Sequence, residues 1–184
     1  MRTYDDNGAA GSTSGCEGFA RRARGNRRLP FFDEADLLDR DEFEEWLELL
    51  APDVHYFARV RQTLRRAGGP GFSERSMHLS DNYTSLKMRI QRHRTSSDWA
   101  EDPPSRIRHY ITNVRVRSGE DGDEYRVTSN ALLVRTRADE PKVETVAAER
   151  RDIIRRDETG LKLVQREILL DHTTLPTHNL SFWI

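Results

Sequence analysis

The chain has 184 residues, 35% of them hydrophobic and 33% charged, and its 30 Lys and Arg nearly cancel 31 Asp and Glu to leave a formal net charge of −1. That length accommodates one domain with a real core and argues against two, while near-neutrality gives no support for a nucleic-acid or membrane partner. Cys16 is the sole cysteine, so no intrachain disulfide can form, and no apolar run approaches the roughly 20 residues that cross a bilayer. With no apolar signal-peptide core near Met1, the expected location is the cytoplasm.

Residues 1–28 are rich in Gly, Ser, Asn and Arg and poor in large apolar side chains, which predicts a tail that is disordered or ordered by a partner. A single folded domain is expected over residues 29–184. Phe31, Phe32, Ala35 and Leu38 have helical spacing, and Phe43, Trp46, Leu47 and Leu50 follow i, i+3, i+4, i+7, so two short helices separated by a break are predicted. Asp41 with Glu44 three residues on suggests a capping box for the second helix, and Pro52 is expected to close it. Residues 53–61 then alternate as a strand would, with Val54, Tyr56, Ala58 and Val60 on one side. The basic run Arg21, Arg22, Arg24, Arg27 and Arg28 and the acidic stretch from Asp33 to Glu48 are read as solvated surface.

Gly68, Gly69, Pro70 and Gly71 mark a loop. A helix is predicted over 82–94, with Leu86 and Ile90 on its buried face. Pro103 and Pro104 lack backbone donors and bias Asp102 toward extended geometry, which forbids a helix there and predicts a rigid bend. Four strands, 107–117, 124–137, 144–156 and 161–169, finish the chain, separated by turn-forming clusters at 119–122, 139–141 and 157–160. Helices first and consecutive strands after them predict an α+β fold with a curved antiparallel sheet packed on N-terminal helices.

The segment Trp99-Ala100-Glu101-Asp102-Pro103-Pro104-Ser105-Arg106, followed by Arg108-His109 and Asn113-Val114, resembles the signature of the small (β) subunits of Rieske-type aromatic-ring-hydroxylating dioxygenases, the biphenyl, naphthalene and phenylpropionate type. Four more segments agree: EADLLD at 34–39 leading into FEEWL, DVHYF at 53–57, ERRD at 149–152, and ILLDHTTLPTHNLS at 168–181. The likeness is colinear from about Phe31 onward. One departure is the start, where members of that family usually carry a longer amphipathic helix. The resemblance implies the cone-shaped fold shared with ketosteroid isomerase and scytalone dehydratase. It also implies a non-catalytic structural role, with three β subunits joining three catalytic α subunits. The α subunit would carry a Rieske [2Fe-2S] cluster and mononuclear Fe(II), and would convert an arene to a cis-dihydrodiol with electrons from NADH.

The residues themselves point the same way. A Rieske cluster needs two Cys and two His, which one cysteine cannot supply. Mononuclear iron needs two His and a carboxylate converging on one site. The six histidines are His55, His78, His93, His109, His172 and His178, and the one local grouping, Asp171 with His172 and His178, is expected to serve hydrogen bonding. No catalytic, cofactor-binding or metal residue is therefore assigned. A subunit interface is expected instead at Trp99, Asp102, Pro103, Pro104, Arg106, Arg108, His109, Arg150, Arg151 and His178, where aromatic and arginine side chains cluster around the bend and on strands. The apolar end, Phe182-Trp183-Ile184, should dock into its own domain or onto a neighbour. Two rivals remain: a stand-alone isomerase or dehydratase using Asp53 or His55 as acid or base, and a small-molecule-binding module.

Overall fold

Pro30 opens the first helix at the position where a missing N–H costs nothing, and α1 (Pro30–Asp39) buries Phe31, Glu34 and Leu38 at i, i+3, i+7. In this computed structural model the described residues are 30–65, 68–69, 71–94, 104–119, 122–177 and 182–184. The tail at 1–28, most of the double-proline bend, Trp99, Asp102, Pro103 and His178 lie outside them. After α1 the chain reverses through Asp41, whose φ of 58° is the left-handed region that Asp tolerates better than most residues. Asp41 is thus a turn residue and not the expected cap: Glu42 holds the N-cap position of α2 (Phe43–Leu47) and makes no side-chain capping bond.

Pro52 does not end a helix either. β1 (Leu50–Arg61) runs straight through it, and Pro52 falls in the interval between the Leu50–Leu163 and His55–Gln165 pairs, where no ladder partner requires its missing donor. Val54, Tyr56 and Ala58 are buried as the alternation predicts. β2 (Phe72–Asn82) was not foreseen, because its sequence lacks a β-branched alternation and most of its positions are exposed or half-buried; it forms as an edge strand against β1.

α3 (Tyr83–His93) follows with Leu86 and Ile90 buried. Asn82 caps it reciprocally: the Asn82 Oδ1 accepts from the Ser85 N–H at 3.0 Å, and the Ser85 Oγ accepts from the Asn82 N–H at 2.9 Å. Replacing Asn82 by Ala is expected to cost about 1 kcal/mol, read as a lower urea midpoint with unchanged slope.

β3 (Ser105–Ser118), β4 (Glu124–Arg137), β5 (Glu144–Asp157) and β6 (Gly160–Leu170) form the antiparallel meander. The full order is β2-β1-β6-β5-β4-β3, and β1 joins the meander through a parallel pairing with β6. Parallel neighbours need a long connection, and here everything from β2 to β5 supplies it. β3 contains one bulge, between Thr112 and Arg115, with Asn113 at φ 53°. The extra residue shifts the alternation: Ile107, His109 and Ile111 face the helices before it, and Val114 and Val116 after it.

One face of the sheet and the three helices enclose the core. Phe182, Trp183 and Ile184 are inside it, so the apolar end docks into its own domain. The Trp183 ring lies 4.6 Å from that of Phe43 and 5.5 Å from that of Trp46, with the Arg89 guanidinium 5.4 Å over it.

Candidate functional site

Strand alternation puts Arg150 and Asp152 of β5 and Arg166 of β6 on the core side of the sheet, and the i, i+3 phase of α1 aims Glu34 at them. Arg166, 1% exposed, sits between two carboxylates. Its Nη1 and Nη2 donate to Glu34 at 2.7 and 2.8 Å, and its Nε and Nη2 donate to Asp152 at 2.9 and 2.8 Å. Nη1 also donates to the main-chain oxygen of Ile184 at 3.2 Å, so the whole guanidinium fork is engaged. The Trp46 indole donates to Glu34 at 3.1 Å, and the Tyr56 hydroxyl donates to the Ile184 oxygen at 2.7 Å while accepting from the Ile184 N–H at 2.8 Å. Arg150 donates to Ser129 through Nε at 3.2 Å and to Glu34 at 3.4 Å; its Nη2 has no partner among the described residues.

Burial by itself pushes the Glu34 carboxyl up, but the positive charges of Arg166 and Arg150, with bonds from Arg166 and Trp46, overcome it and hold its pKa at about 2. Burial, with Arg166 nearby, pulls Arg150 down; burial raises Tyr56. For Arg166 the charges of Asp152 and Glu34 outweigh desolvation and raise it well above the ordinary value. An acid or base must be free to exchange its proton near working pH, and the Glu34 carboxylate is held ionised. Little space remains beside them: the cavity bounded by Phe31, Glu34, Leu49, Ile154, Leu161, Leu163 and Arg166 is about 20 Å³.

A second ionic tie joins α1 to β3. The His109 side chain, 3% exposed, places Nδ1 at 2.7 Å from Asp39 Oδ1 and Nε2 at 2.9 Å from the Trp183 oxygen. The His109 N–H and Arg108 Nη1 also donate to Asp39, at 3.0 and 3.2 Å. Burial raises the Asp39 carboxyl, but the bonds and charge of His109 prevail and lower it.

Several interface candidates therefore stand differently from the expectation. Arg150 and His109 turn into this chain's own interior, because their strand phase faces the helices, and neither side chain reaches the surface. Arg106 and Pro104 are exposed, and Arg108 is exposed while bonded to Asp39. Arg151 is exposed and pairs with Glu149 at 2.7 Å. Sequence reasoning missed Glu34, Asp152 and Arg166 as a unit. The signal was there: each is a charged residue in phase with an apolar face.

The acid–base rival loses its candidates. Asp53 and His55 both lie on the exposed side of β1, where Asp53 accepts two bonds from Arg155, at 2.7 and 3.1 Å. His55 stacks on Phe57 and meets Ser80 at 3.2 Å. Of the C-terminal trio, Asp171 pairs with Arg61 at 3.4 Å, and His172 accepts from the Ala147 N–H at 3.5 Å. Among the described residues no three His, Cys, Asp or Glu side chains converge as a metal site, and no helix is long and apolar enough to cross a membrane.

These features coincide with known proteins. The biphenyl 2,3-dioxygenase subunit beta of Rhodococcus jostii (strain RHA1) is 38% identical over 158 residues, covering 83% of this chain and 84% of that one. In structure, a chain of naphthalene 1,2-dioxygenase with indole bound in its active site superposes with a TM-score of 0.74 at 26% identity, over 93% of this chain and 95% of that one. A protein described as a scytalone dehydratase, from Novosphingobium aromaticivorans DSM 12444, shares the fold alone, with a TM-score of 0.56 at 16% identity over 80% and 83% of the two chains. Residues 33–177 match the family described as ring hydroxylating beta subunit, and the chain belongs to that family.

Proposed function

We propose that this chain is the β subunit of a bacterial aromatic-ring-hydroxylating dioxygenase and acts as a scaffold, without chemistry of its own. The observation that carries this is the buried ion cluster: Arg166, Glu34, Asp152 and Ile184 bond to one another between sheet and helices, and the cavity beside Glu34 and Arg166 is about 20 Å³. Family membership supports a catalytic α partner, to which the Rieske [2Fe-2S] cluster and mononuclear Fe(II) are assigned, since the two Cys that a Rieske centre requires are lacking here. Three α with three β subunits, electrons drawn from NADH, and a cytoplasmic location complete the reading.

Co-expression with a catalytic α subunit of a ring-hydroxylating dioxygenase tests this. A hetero-oligomer by sizing, containing iron and oxidising an arene to a cis-dihydrodiol, is expected; a purified chain that stays alone and turns over substrate without iron would sink the reading. Asp53→Asn and His55→Ala are expected to leave the rate of arene oxidation by the complex unchanged. The isomerase or dehydratase alternative requires at least one of them to abolish turnover.

A further inference from the structure

The phase of β3 that turns His109 inward also brings Ile107 to the helical side of the sheet, where Leu38 of α1, Phe43 of α2 and His93 of α3 converge on it. With Phe182 and Trp183 they wall a cavity of about 280 Å³. Leu38, Phe182 and Trp183 are buried and make its floor, whereas Asp41, Arg94 and Pro104 are exposed and mark its mouth. Three rings form one side. Phe43 and His93 lie 5.9 Å apart, and Trp183 is 4.6 Å from the first and 5.1 Å from the second. Their mutual tilts, 39°, 46° and 47°, leave ring surface that flat stacking would have consumed.

The wall has little to offer a polar guest. His109 commits Nδ1 to Asp39 and Nε2 to the Trp183 oxygen, and the Ser105 Oγ accepts from Arg135 Nε at 2.9 Å. The Trp183 indole N–H is buried with no hydrogen-bond partner among the described residues. Water settles only where about two to four polar partners hold it, so such a wall favours an apolar occupant. A cation is disfavoured, because the Arg89 guanidinium already stands 5.4 Å over the Trp183 ring and Arg94 lies at the mouth. An anion fares no better, since Arg94 is paired with Glu44 and the Asp41 carboxylate shares that mouth. Size sets the rest: an apolar cavity of about 150 Å³ takes benzene, and this larger one admits a second fused ring.

We infer that this cavity binds a neutral arene of one or two rings against Phe43, His93 and Trp183. The inference goes beyond the scaffold reading and does not depend on it, since the walls and not a partner name the ligand class. Because those walls come from three helices, β3 and the 182–184 end, an occupant ties these elements together and stabilises the fold by mass action.

Naphthalene titrated into the full chain, followed by methyl NMR resonances and by thermal unfolding, tests this. Saturable shifts at Leu38 and Ile107 with a higher unfolding midpoint are expected, and benzoate and tetramethylammonium should each bind at least about tenfold more weakly. Ile107→Phe fills the cavity and is expected to weaken naphthalene binding at least about tenfold; Phe43→Leu removes one ring and weakens it about threefold. A cooperative unfolding transition shows that each variant is folded, and either one that folds decides the question. No saturable shift up to the solubility limit of naphthalene overturns the inference. So does binding that the folded variants leave unchanged, or a preference for either ion. The scaffold reading is scored on hetero-oligomer formation and iron content, which none of these outcomes touches.

Discussion

Replacing Glu34 by Gln is expected to destabilise the protein by about 3–5 kcal/mol, the usual cost of removing one member of a buried ion pair. The amide keeps the shape of the carboxylate but not its charge. Arg166 would retain only Asp152 as a bonded counter-ion, and Arg150, whose one carboxylate bond runs to Glu34 at 3.4 Å, would be buried with no carboxylate bonded to it. Guanidinium denaturation read by tryptophan fluorescence reports the loss, and Trp46, which donates to Glu34, is a built-in probe. A change below about 1 kcal/mol would mean that the network does not hold α1 to the sheet.

The same residue sets an acid limit. The folded pKa of Glu34 is about 2 against an ordinary value of 4.5, so the unfolded chain takes up the proton first as pH falls. Its stabilisation is therefore complete above 4.5 and is lost as pH drops toward 2, on the order of 3 kcal/mol in all. Asp39, lowered chiefly by the His109 bonds against the effect of burial, adds to the loss in the same direction. In Glu34→Gln the Glu34 share of this acid dependence should vanish, leaving a shallower fall in melting temperature over that pH range.

Trp183→Ala is the other large effect, at about 3–5 kcal/mol. The side chain is buried and packed against Phe43, Trp46 and His93, with ring separations of 4.6, 5.5 and 5.1 Å, so truncation leaves a cavity that rigid neighbours on α2 and α3 cannot fill. The main-chain oxygen of Trp183 is also the partner of His109 Nε2, so a loosened end releases the histidine as well. The expected signature is a lower denaturation midpoint together with faster amide exchange at His109 and in β3. Exchange confined to residues 182–184 would show that the end is held independently of the Asp39–His109 tie.

Elements whose pattern is local were legible. Leu86 and Ile90 marked the buried face of α3, and the four strands of the meander were located to within about two residues because polar turns punctuate them. β2 was not legible, since the segment from Phe72 to Asn82 owes its strand geometry to the edge of β1 and not to its own side chains. Asp41 misled because the acid three residues before Glu44 serves a reversal of the chain instead of a cap.

Sequence alone was enough to recognise the family, since its motifs are colinear, and to exclude a Rieske centre, since one cysteine cannot build it. Which arginines belong to the interior and which to the surface was decided only on folding. Arg150 and Arg151 are adjacent in the chain, yet one is 1% exposed and the other lies open, because neighbours on a strand point to opposite faces and which face is buried depends on partners far away. Arg166 finds Glu34 across 132 residues, and a one-residue bulge at Asn113 reverses the facing of Arg115 and Arg117. No local window contains either fact, for long-range pairing and register belong to the assembled sheet.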